Sequence, residues 1–229
     1  MARADLRIVG AHRRLRIVVA LVVASLALAG AAFADKQKVQ LTPSAQAAAR
    51  ASLIKRTDLG GAGWTGGVTK ADLSSGMPCV GFSPKQSDLV INGAASSKFS
   101  NPAGVQISAD ADVMKTPAMV ALDWKRTVAD PRIVPCLRSG IAKELPAGGN
   151  LVSVRKVAFP KLSLHTTAFR ALVNVSTQAG VIPMLFDIVL VDHVRTEITL
   201  IVVAPAAAAP AVRQLEINLA SLMISRATL

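Results

Sequence analysis

The chain has 229 residues, 26 lysines and arginines against 14 aspartates and glutamates, a formal net charge of +12, no tyrosine and 3% aromatic residues. The basic residues are spread without a run, and few aromatic rings are present on which bases could stack, so composition argues against a nucleic-acid partner. A positive chain of this length suits a single domain with a sizeable core and an affinity for acidic surfaces.

Residues 1–34 read as a secretory signal. Arg3, Arg7, Arg13, Arg14 and Arg16 face one acid, Asp5, and an apolar run from Ile17 to Gly30 follows, broken only by Ser25. Ala32 and Ala34 then place small residues at both positions that a signal peptidase reads, with cleavage before Asp35. The other reading is an uncleaved anchor, for which the run is short, because about 20 apolar residues span hydrocarbon. Leu28-Ala29-Gly30 is followed by Ala31 rather than the cysteine that a lipid attachment requires, so the expected product is secreted and soluble, with no stable membrane span after cleavage. Five basic residues and one acid leave with the signal; 195 residues of net charge about +8 remain.

Residues 35–42 are polar and are expected to be flexible, leaving 43–229 as one domain. Thr42-Pro43 is an N-cap followed by proline at the first helical position, predicting a helix over about 43–56. Gly60-Gly61-Ala62-Gly63 ends it, and 65–88 reads as loop. A strand region starts at Leu89 and runs to Ser97. From Gly104 to Met114, Val105, Ile107, Ala109, Ala111 and Val113 alternate with Gln106, Ser108, Asp110 and Asp112, the pattern of a half-buried antiparallel strand. Thr116-Pro117 repeats the cap signal and predicts a helix to about Val128. Asp130-Pro131 opens another, to about Leu145. Four strand-like segments follow, 151–159, 165–177, 182–193 and 197–204, with reversals at Gln178-Ala179-Gly180 and His193-Val194-Arg195-Thr196. Val212, Leu215, Leu219 and Leu222 mark a final helix within 206–226. Grouped helices and consecutive hairpin strands give an α+β fold, an antiparallel sheet of about five to six strands with helices packed on it.

Cys79 and Cys136 are the only cysteines, an even count in a chain bound for an oxidising compartment, which predicts a structural disulfide. A redox pair is the alternative, but the two are far from C-x-x-C spacing.

The chain resembles a family of exported actinobacterial proteins. The matching segments are Leu59-Gly60-Gly61-Ala62-Gly63-Trp64, Cys79, Asn92-Gly93-Ala94-Ala95-Ser96-Ser97-Lys98-Phe99, the alternating strand, Cys136 in the second of a helix pair, and the strand meander before a C-terminal helix. It is similar over about residues 50–228 to the extracellular sensor domain of PknH-type receptor kinases and to LpqN-type lipoproteins. The resemblance implies a PsbP-like fold and a ligand- or partner-binding role in the cell envelope.

Chemistry-bearing patterns are sparse. Ser52-Leu53-Ile54-Lys55 fits S-x-x-K, but the partner motifs of penicillin-interacting enzymes are missing. No G-x-S-x-G, P-loop or dinucleotide fingerprint occurs. His165 and His193 lack metal-ligand spacing, so no metal or other cofactor is expected, and Asp192-His193 reads as a solvated turn. Trp64 and Trp124 read as core or loop anchors. Arg170 and Asp187 interrupt apolar strands; a hairpin near Ala179-Gly180 pairs 170 with about 189, setting the two diagonally on one face as a solvent-facing salt bridge or a ligand anchor. The expectation is therefore a non-catalytic, exported binding or sensor-like domain for a small apolar ligand or an envelope component. The alternatives are a structural or protein-interaction module and, third, a hydrolase.

Overall fold

A computed structural model of the chain describes residues 35–60, 63–73, 79, 81–178 and 180–229. The expected cleavage residues Ala32 and Ala34 lie outside the described residues. Among the described residues no helix is long and apolar enough to cross a membrane.

The fold is α+β. Eight strands form one mostly antiparallel sheet: β1 (Lys38–Val39), β2 (Thr65–Thr69), β3 (Val90–Ser100), β4 (Gln106–Met114), β5 (Gly149–Val157), β6 (Thr166–Thr177), β7 (Gly180–His193) and β8 (Thr196–Pro205). Four helices pack on it: α1 (Pro43–Ser52), α2 (Pro117–Arg126), α3 (Ile133–Glu144) and α4 (Ala209–Arg226). The strand order is β1-β3-β4-β8-β7-β6-β5, with β2 also paired to β3. Five to six strands were expected; the additional ones are the short β1 and β2.

Local chemistry explains the helix starts. Thr42 and Thr116 are extended N-caps, and their hydroxyls accept from the N–H groups of Ala45 and Met119, each at 3.3 Å, with proline at the first helical position in both. The first helix stops at Ser52, earlier than expected, and a 3-10 turn over Arg56–Leu59 follows.

Two segments read as irregular are part of the sheet. Residues 35–42 follow the sheet edge: Lys38 N donates to Leu89 O at 2.9 Å, Gln40 N to Ile91 O at 2.9 Å and Thr42 N to Asn92 O at 2.8 Å. Thr65–Thr69 pairs with Ser96–Ser100. Its glycines hid the strand from a propensity reading, yet one of them permits it: Gly66 sits at φ +117°, and a Cβ there would lie 2.1 Å from Lys98 O.

Alternation along the strands separates two apolar layers. On one face Ile107, Ala109, Leu185, Val189, Ile198, Leu200 and Val202 meet Val212, Leu219, Ala220 and Met223 of α4, and Ala111 and Val113 meet Ala45, Ala48 and Ala49 of α1. On the other face Phe169, Ala171, Val173, Phe186 and Ile188 meet Leu137 and Ile141 of α3. Near α2, Val120 packs on Leu89, Ile91, Ala94 and Met114. Cys79 and Cys136 meet at disulfide distance, Cα–Cα 4.9 Å, and join α3 to the segment before β3.

Candidate functional site

On the face shared by α2 and α3, the polar positions of β4 continue across the sheet. Asp112 is opposite Glu197, and Glu197 is opposite Asp192. The Asp192 N–H donates to the His165 carbonyl at 3.1 Å. A single row therefore runs Asp112, Glu197, Asp192, His165 across four strands' width. One row away, Asp110 is opposite both Ser96 and Thr199, and the Ser96 hydroxyl donates to its carboxylate in a short contact.

α2 roofs the row. Asp123 accepts from Gln86 Nε2 at 2.8 Å and from Gln37 Nε2 at 3.5 Å, and lies close enough to Glu197 to share a hydrogen bond with it. The Trp124 indole stacks on the His165 ring at 5.1 Å between centroids and 13° between planes. His165 Nδ1 is 3.2 Å from Asp192 Oδ2, an electrostatic contact without the direction of a hydrogen bond. Asp110, Asp112, Asp123 and Glu197 are partly accessible and Asp192 is buried, so the row lies beneath α2 crowded by protein and partly reached by solvent, a region termed the recess.

Charge is poorly compensated in this recess. Burial pushes Asp112 up to about 7, with Asp110 and Asp123 adding repulsion. Burial, then Asp123, pushes Asp192 up to about 8. Burial and then Asp123, Asp192 and Asp112 hold Glu197 well above the usual carboxylate range. Asp110 and Asp123 are raised too, mainly by burial. Arg126, the nearest arginine on α2, is committed elsewhere, to a bidentate pair with Asp88 at 2.6 and 3.0 Å that holds Asp88 at about 2. Chemically, the row offers acceptors and protons to a donor-rich or cationic guest.

The segment before β3 forms part of the recess wall. Gln86 bridges Asp123 and Asp35, whose carboxylate accepts the Gln86 N–H at 3.0 Å. Phe82 in that segment is buried, with the Arg132 guanidinium over its ring at 5.0 Å.

Arg170 and Asp187 meet on the opposite face, beneath α4. They are directly opposite one another rather than diagonal, because Thr177 pairs with Gly180 and the loop is two residues long. Arg170 Nε donates to Asp187 Oδ1 at 2.7 Å and Nη2 to Oδ2 at 2.5 Å. The pair is not solvent-facing: the side chains are 17% and 2% exposed. α4 brings Glu216, fully buried, against Asp187; burial and that hydrogen-bonded neighbour push Glu216 up to about 8. Arg213 reaches Glu216 at 3.4 Å and lies over the Phe159 ring at 4.3 Å. This cluster is an ion network between sheet and helix, on the face opposite the carboxylate row, and Glu216 Oε1 within it has no hydrogen-bond partner.

Other sequence candidates separate. Ser52 is fully buried and its hydroxyl donates to the Ala48 carbonyl at 3.0 Å, the ordinary back-bond of a helical serine, while Lys55 is exposed. Trp64 packs against the α4 core. Asp192 is not a solvated turn residue: the turn is Val194-Arg195, so Asp192 lies within β7. Sequence reasoning placed Asp110 and Asp112 on one strand face but missed their convergence with Asp123, Asp192 and Glu197. Among the described residues no group of three or more His, Cys, Asp or Glu side chains is arranged to hold a metal ion.

No protein-family model and no curated protein significantly matches the chain. Among solved structures it is similar to an uncharacterised protein from Mycobacterium smegmatis, an Rv0999 ortholog, at 12% identity and a TM-score of 0.42, covering 80% of this chain and 98% of that one.

Proposed function

We propose that this chain is an exported, non-catalytic binding domain of the cell envelope that takes its ligand in the recess between α2 and the sheet. The observation that carries the reading is the row Asp112, Glu197, Asp192 and His165 with Asp123 above it. Uncompensated carboxylates in a crowded recess oppose stability, which is the signature of a site kept for binding rather than for folding. The basic leader with its small-residue cleavage site, and the cysteine pair at disulfide distance, support an extracytoplasmic setting. The resemblance to extracellular sensor domains and envelope lipoproteins agrees with a binding role.

Native mass spectrometry of the protein purified from its source under mild conditions tests this. The expected result is a non-covalent adduct that is diminished in Trp124→Ala, a change at the His165 end of the row. A single bare mass for both proteins, with unchanged melting behaviour, contradicts the reading.

A second reading, a hydrolase, draws on the same groups, since carboxyls raised to about 7 and about 8 are suited to proton donation near neutral pH. Turnover of a nitrophenyl glycoside or ester panel that is abolished by Glu197→Gln would favour it over simple binding.

A further inference from the structure

Two buried oxygens on the recess face lack a hydrogen-bond partner: Thr167 Oγ1, on a residue 3% exposed, and Asp192 Oδ2, on a residue 9% exposed. Thr167 is not one of the acids. It lies two residues beyond His165 on β6, opposite Leu190, which places it diagonal to Asp192 on the same face. Buried polar atoms are nearly always satisfied, and those that are not mark where a missing group belongs. The Thr167 hydroxyl can accept as well as donate, and Asp192 Oδ2, with only the poorly directed His165 Nδ1 at 3.2 Å, accepts when ionised, as does every other acid of the row, so a donor is the group that suits them all.

The shape of the row selects among donors. A calcium ion draws six to eight oxygens together at about 2.3–2.6 Å, and no such convergence exists among the described residues. Instead Asp112, Glu197 and Asp192 stand on adjacent strands, β4, β8 and β7, which are set about 4.8 Å apart. The acceptors are therefore strung out at a regular pitch, which an amine chain with three or four methylenes between nitrogens can follow. Trp124, one face of which is stacked on His165, adds at the end of the row aromatic surface of the kind that attracts ammonium groups.

We propose that the recess beneath α2 binds an organic polycation whose protonated amines pair in succession with Asp112, Glu197 and Asp192. This deepens the binding role proposed above and rests on it. The recess then supplies the negative potential, in an otherwise basic protein, that draws such a ligand in.

The test follows the indole N–H signals of Trp124 and Trp64 by NMR in the oxidised protein, titrated separately with spermidine, calcium chloride and decanoate. Spermidine is expected to shift Trp124 saturably and leave Trp64 unmoved, with an affinity that falls as sodium chloride is raised. Asp112→Asn and Glu197→Gln are each expected to weaken spermidine at least tenfold. The three-probe comparison on the unaltered protein decides the question even if a variant folds poorly. A Trp124 shift with decanoate but not spermidine leaves the binding site standing and overturns the polycation. A shift with calcium chloride at lower concentration than spermidine overturns it in favour of a metal ion. No shift with any probe removes both the polycation and the binding site itself.

Discussion

Replacing Glu216 by glutamine should stabilise the protein at neutral pH and flatten its stability profile. Glu216 is fully buried beneath α4, and burial with the Asp187 neighbour raises it from 4.5 to about 8. In the fold it holds a proton that it gives up in the unfolded chain above pH 4.5 or so. A raised folded value means the contribution is fully present below about 4.5 and is lost as pH climbs toward about 8. At ~1.4 kcal/mol per unit, the loss by pH 7 is on the order of 3 kcal/mol. Glutamine needs no proton and still offers an N–H to Asp187, so the variant should gain about 1–3 kcal/mol at pH 7 and nothing near pH 4.5. Urea unfolding of both proteins at pH 4.5, 6 and 7.5 measures this. Taking the difference between the proteins removes the parallel contributions of Asp112, Asp192 and Glu197, which are unchanged. A difference that does not vary with pH, or a variant less stable throughout, refutes the assignment of the proton to Glu216.

The same network predicts that Arg170→Met destabilises by about 3–5 kcal/mol at pH 7, because Asp187 is left buried without its bidentate partner; a loss below ~1 kcal/mol by urea titration would restore the solvent-facing reading. Gly93→Ala should cost about 2–3 kcal/mol, since its Cβ would stand 2.3 Å from the Ala45 carbonyl oxygen and 2.4 Å from its carbon, backbone atoms of α1 that have to move; a melting temperature equal to that of the parent would contradict this. Joining residues 57 apart, the Cys79–Cys136 link should contribute on the order of 4 kcal/mol by the chain-entropy account, measured as the difference in urea midpoint between the parent and a Cys79→Ser, Cys136→Ser double variant. Because that link anchors the segment carrying Gln86, the double variant should also alter the Trp124 emission; an unchanged spectrum would show that the recess wall holds without it.

Most strands were legible because one face is apolar. Ile107, Ala109, Ala111 and Val113 announced β4 through period-two alternation, and the β6–β7–β8 meander announced itself by short turns between apolar runs. The site was less legible for the same reason. Alternation assigns Asp110 and Asp112 to the face away from α1, and the natural inference is solvent; that α2, directly after β4, folds back over this face, and that Asp192 and Glu197 join it from β7 and β8, is decided by tertiary packing. Asp192 was misplaced by one step, because Asp192-His193-Val194-Arg195 reads as turn, whereas the reversal is confined to Val194-Arg195. The Arg170–Asp187 register was off by two because the reversal lies between Thr177 and Gly180, one position earlier than expected, and moving a turn by one position moves every partner by two. Glu216 carried no signal at all: a glutamate amid α4 looks like a surface position until the sheet beneath it is known to hold Asp187.

The two polar clusters differ in a way that bears on function. Beneath α4 each acid has an arginine, Asp187 with Arg170 and Glu216 with Arg213, although Glu216 Oε1 has no hydrogen-bond partner. That network is worth keeping for orientation of the helix on the sheet and needs no ligand. Beneath α2 five of the chain's 14 acids converge, and Arg126 of α2 is held by Asp88 outside the row. Raised carboxyls are common to both clusters, Asp112 at about 7, Asp192 and Glu216 at about 8; what sets the α2 row apart is that among the described residues no arginine pairs with it. A chain with 26 basic residues had ample means to neutralise this row and has not done so. The polycation proposed above is a guest whose charge matches what the row lacks.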